Sequence, residues 1–363
     1  LTQGLYAIIL GHIIGSVLLF GAGLIGGRLR QGSMNTTAFS FGPLGAKGFA
    51  FLNMLQLIGW TSIMIYDAML ALQELAPLSP IIWTIAIGAL VILWLFIGLH
   101  NTGYIQAIVS VLLLGLTLYM GAHMISQWPN EGIILTSGNM SFIAALELSI
   151  AMPLSWLPLI SDYTRESKKP FSASLTSATV YTVTSIVMYT LGLSAAIFGG
   201  GDSIITIMMN AGLGLAGLIV IIFSTVTTTF MDAYSAGVSS TTIYKSASSK
   251  GIAVVVTIVG TIAAILYPMD DITDFLYLIG SVFAPMIAIL LADYFINRQQ
   301  VQTLSAYLVR GLIWAVSVGL YHYMLHSEST IGATLPAFTM AFVVTAIVGF
   351  ISHTENSSVE IKQ

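Results

Sequence analysis

Apolar residues follow one another in blocks of about twenty, with short polar links between them. A helix of that length rises about 30 Å, the thickness of the hydrocarbon core of a bilayer. About eleven such stretches can be marked, at approximately 5–27, 49–75, 81–99, 104–125, 142–160, 174–198, 213–240, 252–267, 275–296, 304–325 and 335–352. No long polar segment separates them, so the pattern predicts an all-α integral membrane protein with a single transmembrane domain over 1–352 and a cytoplasmic tail over 353–363.

Composition narrows the class. The chain has 363 residues, 56% hydrophobic and 7% charged, with a mean hydropathy of +0.93. A soluble domain carries roughly 25% charged residues. The scarcity here excludes a cytosolic enzyme, a nucleic-acid binder and a disordered protein. Cysteine is absent, which removes disulfides, thiolate metal sites and a cysteine nucleophile. The first residues carry neither a basic n-region nor a cleavage site, so they do not read as a signal peptide.

The placement of the charges says more than their sum. All 11 basic residues fall in alternate links. Arg28, Arg30 and Lys47 follow the first stretch; Arg165, Lys168 and Lys169 follow the fifth. Lys245 and Lys250 follow the seventh, Arg298 and Arg310 lie around the link after the ninth, and Lys362 is in the tail. The opposite links hold Glu131, Asp202, Asp270, Asp271, Asp274 and Glu328. The positive-inside rule makes the basic side, and the C-terminus, cytoplasmic. The first stretch then enters from outside, which leads us to expect one further helix before Leu1.

A shift of 173 residues carries 5–27 onto 178–200, 49–75 near the seventh stretch, 81–99 near the eighth and 104–125 onto the ninth. Gly26-Gly27 and Gly199-Gly200 close corresponding stretches. Paired stretches run in opposite directions, which is an inverted repeat of the kind secondary transporters use. The expected fold is therefore a five-plus-five inverted-repeat transporter with two extra C-terminal helices. Residues 1–141 are what remains of the first repeat, 142–303 the second, and 304–352 the accessory pair. The partner of the fifth stretch would precede Leu1.

The fifth stretch carries Pro153 and Pro158, each lacking a backbone donor, so it is expected to be a broken helix rather than a simple kink. Ser149 and Ser155 are placed to satisfy the freed carbonyls. Acids at membrane depth are costly and mark function. Asp67 (which the outer interface would also explain), Glu147 and Asp232 are such acids, with no basic residue at matching depth; Asp293 reads as interfacial. In the seventh stretch Ser224, Thr227 and Thr228 precede Asp232, and paired hydroxyls are hard oxygen ligands when they are not bonding back to their own helix. Trp60 lies too deep in its stretch for an interfacial anchor, whereas Trp83 and Trp128 fit that role; its indole plane suits stacking on a flat ring. The six histidines are dispersed, Gly11…Gly15 and Gly23…Gly27 read as close helix packing, and no nucleotide loop is present.

Several of these residues group into motifs. Gly11-His12-Ile13-Ile14-Gly15, Gly59-Trp60 continuing to Tyr66-Asp67, Ser161-Asp162-Tyr163-Thr164-Arg165, and Thr227-Thr228-Thr229-Phe230-Met231-Asp232-Ala233-Tyr234 resemble the nucleobase:cation symporter-1 family. The likeness is greatest to its CytX branch, the hydroxymethylpyrimidine transporters. It implies alternating access and uptake of a flat heterocycle coupled to Na+ or H+ in a bacterial cytoplasmic membrane, with no organic cofactor. It implies that Trp60 stacks on the ring, although Thr61-Ser62 stand where the family has Phe-Gly. The second family aromatic aligns with Pro153, and Trp156 one turn on is the substitute. Thr227 and Thr228 match the hydroxyl pair that holds Na+ in sodium-coupled members, with the Ser224 carbonyl a turn earlier; the remaining ligands would come from the helix before Leu1. Glu147 or Asp232 would pair with the amine-bearing edge of an aminopyrimidine.

The reading is thus a cation-coupled importer of a pyrimidine, hydroxymethylpyrimidine first. The alternatives are a cytosine, purine or amino-acid symporter of the same fold, a passive channel, and an intramembrane enzyme, which the scattered histidines disfavour. Its partners are a small heterocycle and the lipid bilayer, and no nucleic acid.

Overall fold

Backbone polar groups have no water to bond in hydrocarbon, so each segment must satisfy them internally. Every regular element among the described residues is accordingly helical. The computed structural model describes residues 1–76, 78–97, 99–126, 140–198, 214–269, 272–327 and 329–360. Trp128, Glu131, Gly199-Gly200, Asp202, Asp270, Asp271, Glu328 and Lys362 lie outside the described residues, as do the side chains of His100, His123 and His353.

In chain order the helices are α1 (Thr2–Leu29), α2 (Ser33–Thr36), α3 (Ala38–Leu75), α4 (Pro80–Ile97), α5 (Leu99–Ser126), α6 (Phe142–Ser155), α7 (Leu157–Thr164), α8 (Pro170–Phe198), α9 (Gly214–Ile243), α10 (Ser249–Leu266) and α11 (Thr273–Leu291). A π-helical turn over Ala292–Asn297 follows, then α12 (Leu304–His326) and α13 (Thr334–Glu360). Among the described residues, 10 helical segments are long and apolar enough to cross a membrane, with α6 and α7 forming one of them. The expected stretch 104–125 falls in α5, whose described apolar part is Gln106–Tyr119.

Local chemistry sets the ends. Ser141, Ser248 and Thr303 cap α6, α10 and α12, each accepting a backbone N–H three residues on, at 3.1, 3.1 and 3.3 Å. α3 starts earlier than the apolar pattern predicts, at Ala38. It bends at Gly42, whose φ of +68° favours glycine and which precedes Pro43. The tyrosine ring of Tyr307 lies against Gly42, 2.6 Å from where a Cβ would stand.

The chain divides into two compact units. The first comprises Leu1–Leu5, Met54–Asn139 and Ile186–Ile272. In it α9 and α10 pair closely: a side chain at Gly237 would run into the Ser249 carbonyl. Val91, Trp94 and Leu95 of α4 pack with Val226, Phe230 and Ala233 of α9 and Ala253 of α10. Farther along, Ile65, Ala68, Met69 and Leu72 of α3 pack with Ile87 and Ala264.

The second unit comprises Tyr6–Asn53, Met140–Ser185 and Thr273–Gln363. Here α1 lies against α6, with Gly11 and Gly15 facing Ser149 and Pro153 too closely for any side chain. Small residues let helices approach where lipid offers no hydrophobic drive. Gly27 meets Pro170 in the same way, and Gly23 packs tightly against Ile160 and Ser174.

Candidate functional site

In the first unit the chemistry collects on α9. Ser224, Thr228 and Asp232 recur every four residues, and Ser235 and Ser239 continue their side of the helix. Val226, Phe230 and Ala233, the packed face, lie opposite. The Thr227 and Thr228 hydroxyls both donate to the Ser224 carbonyl, at 3.0 and 2.9 Å, and the Ser224 hydroxyl donates to the Ile221 carbonyl at 3.1 Å. This is the back-bonding open to any helical threonine. It also brings two hydroxyl oxygens and a carbonyl oxygen together, and each hydroxyl retains lone pairs for a cation.

Asp232 is one turn beyond Thr228 and 6% exposed. Among the described residues no hydrogen bond or ion pair reaches it. A carboxyl group buried without a partner is costly, and the cost falls when a ligand brings a donor. Trp60 lies half-buried on α3 of the same unit, next to Thr61, which packs on Gly260 of α10. Asp67 is exposed near the end of α3, in keeping with an interfacial position. Trp83 donates its indole N–H to the Ala76 carbonyl at 3.1 Å, tying down the start of α4 as an anchor would.

In the second unit the fifth stretch is interrupted at Trp156, which ends α6 and precedes α7. The two prolines act differently. Pro153 sits inside α6, while Pro158 stands in the first turn of α7, where a missing donor costs nothing. The Trp156 N–H turns to the Pro153 carbonyl at 3.2 Å, leaving the Met152 carbonyl free of its helical donor. Ser155 takes up that carbonyl at 2.7 Å and the Tyr181 hydroxyl donates to it at 3.1 Å. Ser149 does not serve a proline-freed carbonyl; it bonds back to Ala145 at 2.7 Å. Trp156 is half-buried, its ring centroid 5.9 Å from that of Tyr181. Tyr181 escapes a sequence reading, because the prolines mark the carbonyls of Ser149 and Leu154 as freed and not that of Met152.

Glu147 is buried and fully engaged. Its oxygens accept from the backbone N–H groups of Ala333 and Thr334 at 3.0–3.2 Å and from the Thr334 hydroxyl at 2.5 Å. It sits less than two turns into α6 and caps the N-terminus of α13, where a carboxylate meets unpaired donors and the positive end of the helix dipole.

The remaining acid, Asp293, has a counter-ion. It is fully buried in the π-helical turn and bonded by Arg310, which lies inside α12 and not in the link before it. The Ser161…Arg165 motif is a clasp: Ser161 and Thr164 donate to the carbonyls of Ala22 and Gly23 at 2.9 and 2.8 Å, and Asp162 accepts from the Ser33 N–H at 2.8 Å. No cluster of three histidine or acidic side chains suited to a metal ion occurs among the described residues.

Residues 1–360 match the family described as permeases for cytosine/purines, uracil, thiamine and allantoin. No functionally curated protein matches the chain in sequence. Among solved structures, Mhp1, a nucleobase-cation-symport-1 family transporter, in a closed conformation with bromovinylhydantoin bound, superposes with a TM-score of 0.81 at 17% identity, over 97% of this chain and 86% of that one. Its inward-facing conformation gives 0.75 at 18%, over 97% and 84%. A Na+-coupled sialic acid symporter in a substrate-bound outward-open state gives 0.67 at 16%, over 96% and 88%. The fold is thus that of the inverted-repeat membrane transporters, as the repeat spacing predicts.

Proposed function

Because the chain belongs to the family of permeases for cytosine/purines, uracil, thiamine and allantoin, we propose that it is a cation-coupled importer of a pyrimidine, working by alternating access. The observation that carries this reading is Asp232, a carboxyl group with no partner among the described residues, buried on a membrane-spanning helix one turn from a cluster of hydroxyls. Trp60 stacks on the flat ring. Asp232 pairs with the edge that presents a ring nitrogen beside an exocyclic amine, as in hydroxymethylpyrimidine. Glu147 already holds α13, so its part is to position α6.

The oxygens of Ser224, Thr227 and Thr228 suit a hard cation. When bound, Na+ supplies positive charge one turn from Asp232. The Thr227 and Thr228 hydroxyls would hold the ion through their lone pairs while still donating to the Ser224 carbonyl, on the same helix that carries the substrate-pairing acid. The Na+-coupled symporter among the structural relatives supports a Na+ reading over a proton one. The basic links support a cytoplasmic C-terminus.

The test is uptake of labelled hydroxymethylpyrimidine into proteoliposomes holding the full-length protein, with and without a Na+ gradient. The expected result is gradient-driven accumulation, lost in Asp232→Ala and Trp60→Ala. Competition by unlabelled cytosine, which has a similar edge, ranks the two bases. Parent-like uptake by both variants refutes the site.

A further inference from the structure

We propose that the second unit binds an anionic phospholipid in a groove between the first half of α3 and α12. The groove has a volume of about 870 Å³ and its walls are almost wholly apolar. Phe41, Phe49 and Trp314 form its floor as an edge-to-face series, with centroids 4.7 and 5.3 Å apart. Leu44 and Leu308 rise on its two sides and are exposed. Gly48 and Gly311 keep it open, for a Cβ at either meets nothing within 4 Å.

The groove runs along the beginnings of two membrane-spanning helices, so it lies at the edge of the hydrocarbon and opens at the level of the headgroups. The Val301 N–H donates to the Phe39 carbonyl at 3.0 Å, which brings the link before α12 to the start of α3. The charged residues of the two segments that line the groove are all basic. Lys47, beside Gly48, and Arg298, in the link, are both exposed, and neither segment, 38–53 or 298–314, contains an acid. Arg310 in the same stretch is neutralised by Asp293. Gln302 lines the groove and also a polar pocket of about 550 Å³ beside it. A lipid with a linear acyl chain and a negative headgroup meets all of these features. This end of the helices is the end where basic residues gather, the side that faces the anionic leaflet.

The test uses delipidated full-length protein in detergent, titrated with phosphatidylglycerol or with phosphatidylcholine of the same chains. Binding is read by native mass spectrometry and by thermal unfolding. We expect phosphatidylglycerol to bind at least ten-fold more tightly. Lys47→Gln with Arg298→Gln should bring the two lipids to parity. Gly311→Leu should abolish tight binding of both, with the lipid-free Tm preserved. Equal binding of the two lipids by the parent overturns the proposal, as does tight phosphatidylglycerol binding that survives in Gly311→Leu. A dimer that Gly311→Leu dissociates overturns it too, since a second copy would then fill the groove. If Gly311→Leu does not fold, the exposed Lys47/Arg298 pair decides alone.

Discussion

Arg310 grips Asp293 with two nitrogens, Nε at 3.3 Å and Nη2 at 3.0 Å, in a place where neither side chain meets solvent. Asn297 completes the network. Its amide donates to Asp293 at 2.9 Å and to the Thr345 carbonyl of α13 at 3.2 Å. The π-helical turn that holds Asp293 and Asn297 aims both at α12 and α13. Three segments are thereby tied through one carboxylate.

Removing Arg310 should therefore be severe. Arg310→Ala leaves a buried charge with only an amide for company, a loss of about 3–5 kcal/mol. Thermal unfolding in detergent should show a much lowered Tm. Asp293→Ala added to Arg310→Ala should restore part of it, because the uncompensated charge is gone. A double variant as unstable as the single one would show that the pair's geometry, not its charge balance, is what matters.

Glu147 offers a cleaner separation of roles. Glu147→Gln keeps one acceptor oxygen for the α13 N-terminus; Glu147→Ala keeps none. Loss of such a cap costs about 1–2 kcal/mol. We expect Tm to fall in the order parent, Gln, Ala, with substrate Kd within about two-fold of the parent's in both variants that fold. A large loss of affinity in Glu147→Gln without a change in Tm would return Glu147 to the substrate site.

The break at Trp156 was legible because prolines advertise it, and the spans because twenty-residue apolar blocks have few other uses. The Ser224, Thr227 and Thr228 grouping was legible because one helical turn contains it. The partner of Glu147 was not. Thr334 is 187 residues away, and nothing local marks it. Arg310 falls within the 304–325 stretch, but it is seventeen residues from Asp293, and their pairing is hidden unless the turn between the helices is known. Long-range polar pairs of this kind are set by which helices pack, and hydropathy does not encode that.

Tyr181 should matter to the break and not to the overall fold. Tyr181→Phe removes one of two donors to the Met152 carbonyl and keeps the ring beside Trp156. A neutral hydrogen bond contributes about 1 kcal/mol. Ser155 still covers the carbonyl, so the change in Tm should be small. Hydrogen exchange of the amides around Trp156 should rise relative to the parent. Unchanged exchange there would mean that Ser155 alone holds the break.

The hydroxyl pair on α9 makes the sharpest demand on the proposed mechanism. Thr227→Val and Thr228→Val preserve shape and remove one oxygen each. Among the described residues both hydroxyls bond only to the Ser224 carbonyl of their own helix, so their loss should barely affect stability. If they also take up Na+, each variant loses a ligand, and the Na+ concentration for half-maximal uptake should rise about ten-fold or more, equivalent to at least about 1.4 kcal/mol. Thr225 lies off the Thr227/Thr228 pair on the same helix, and Thr225→Val should leave the Na+ dependence unchanged. The readout is initial uptake rate against Na+ at saturating substrate, alongside Tm. An unaltered Na+ response in both threonine variants would leave their hydroxyls as simple back-bonding groups and move the ion elsewhere.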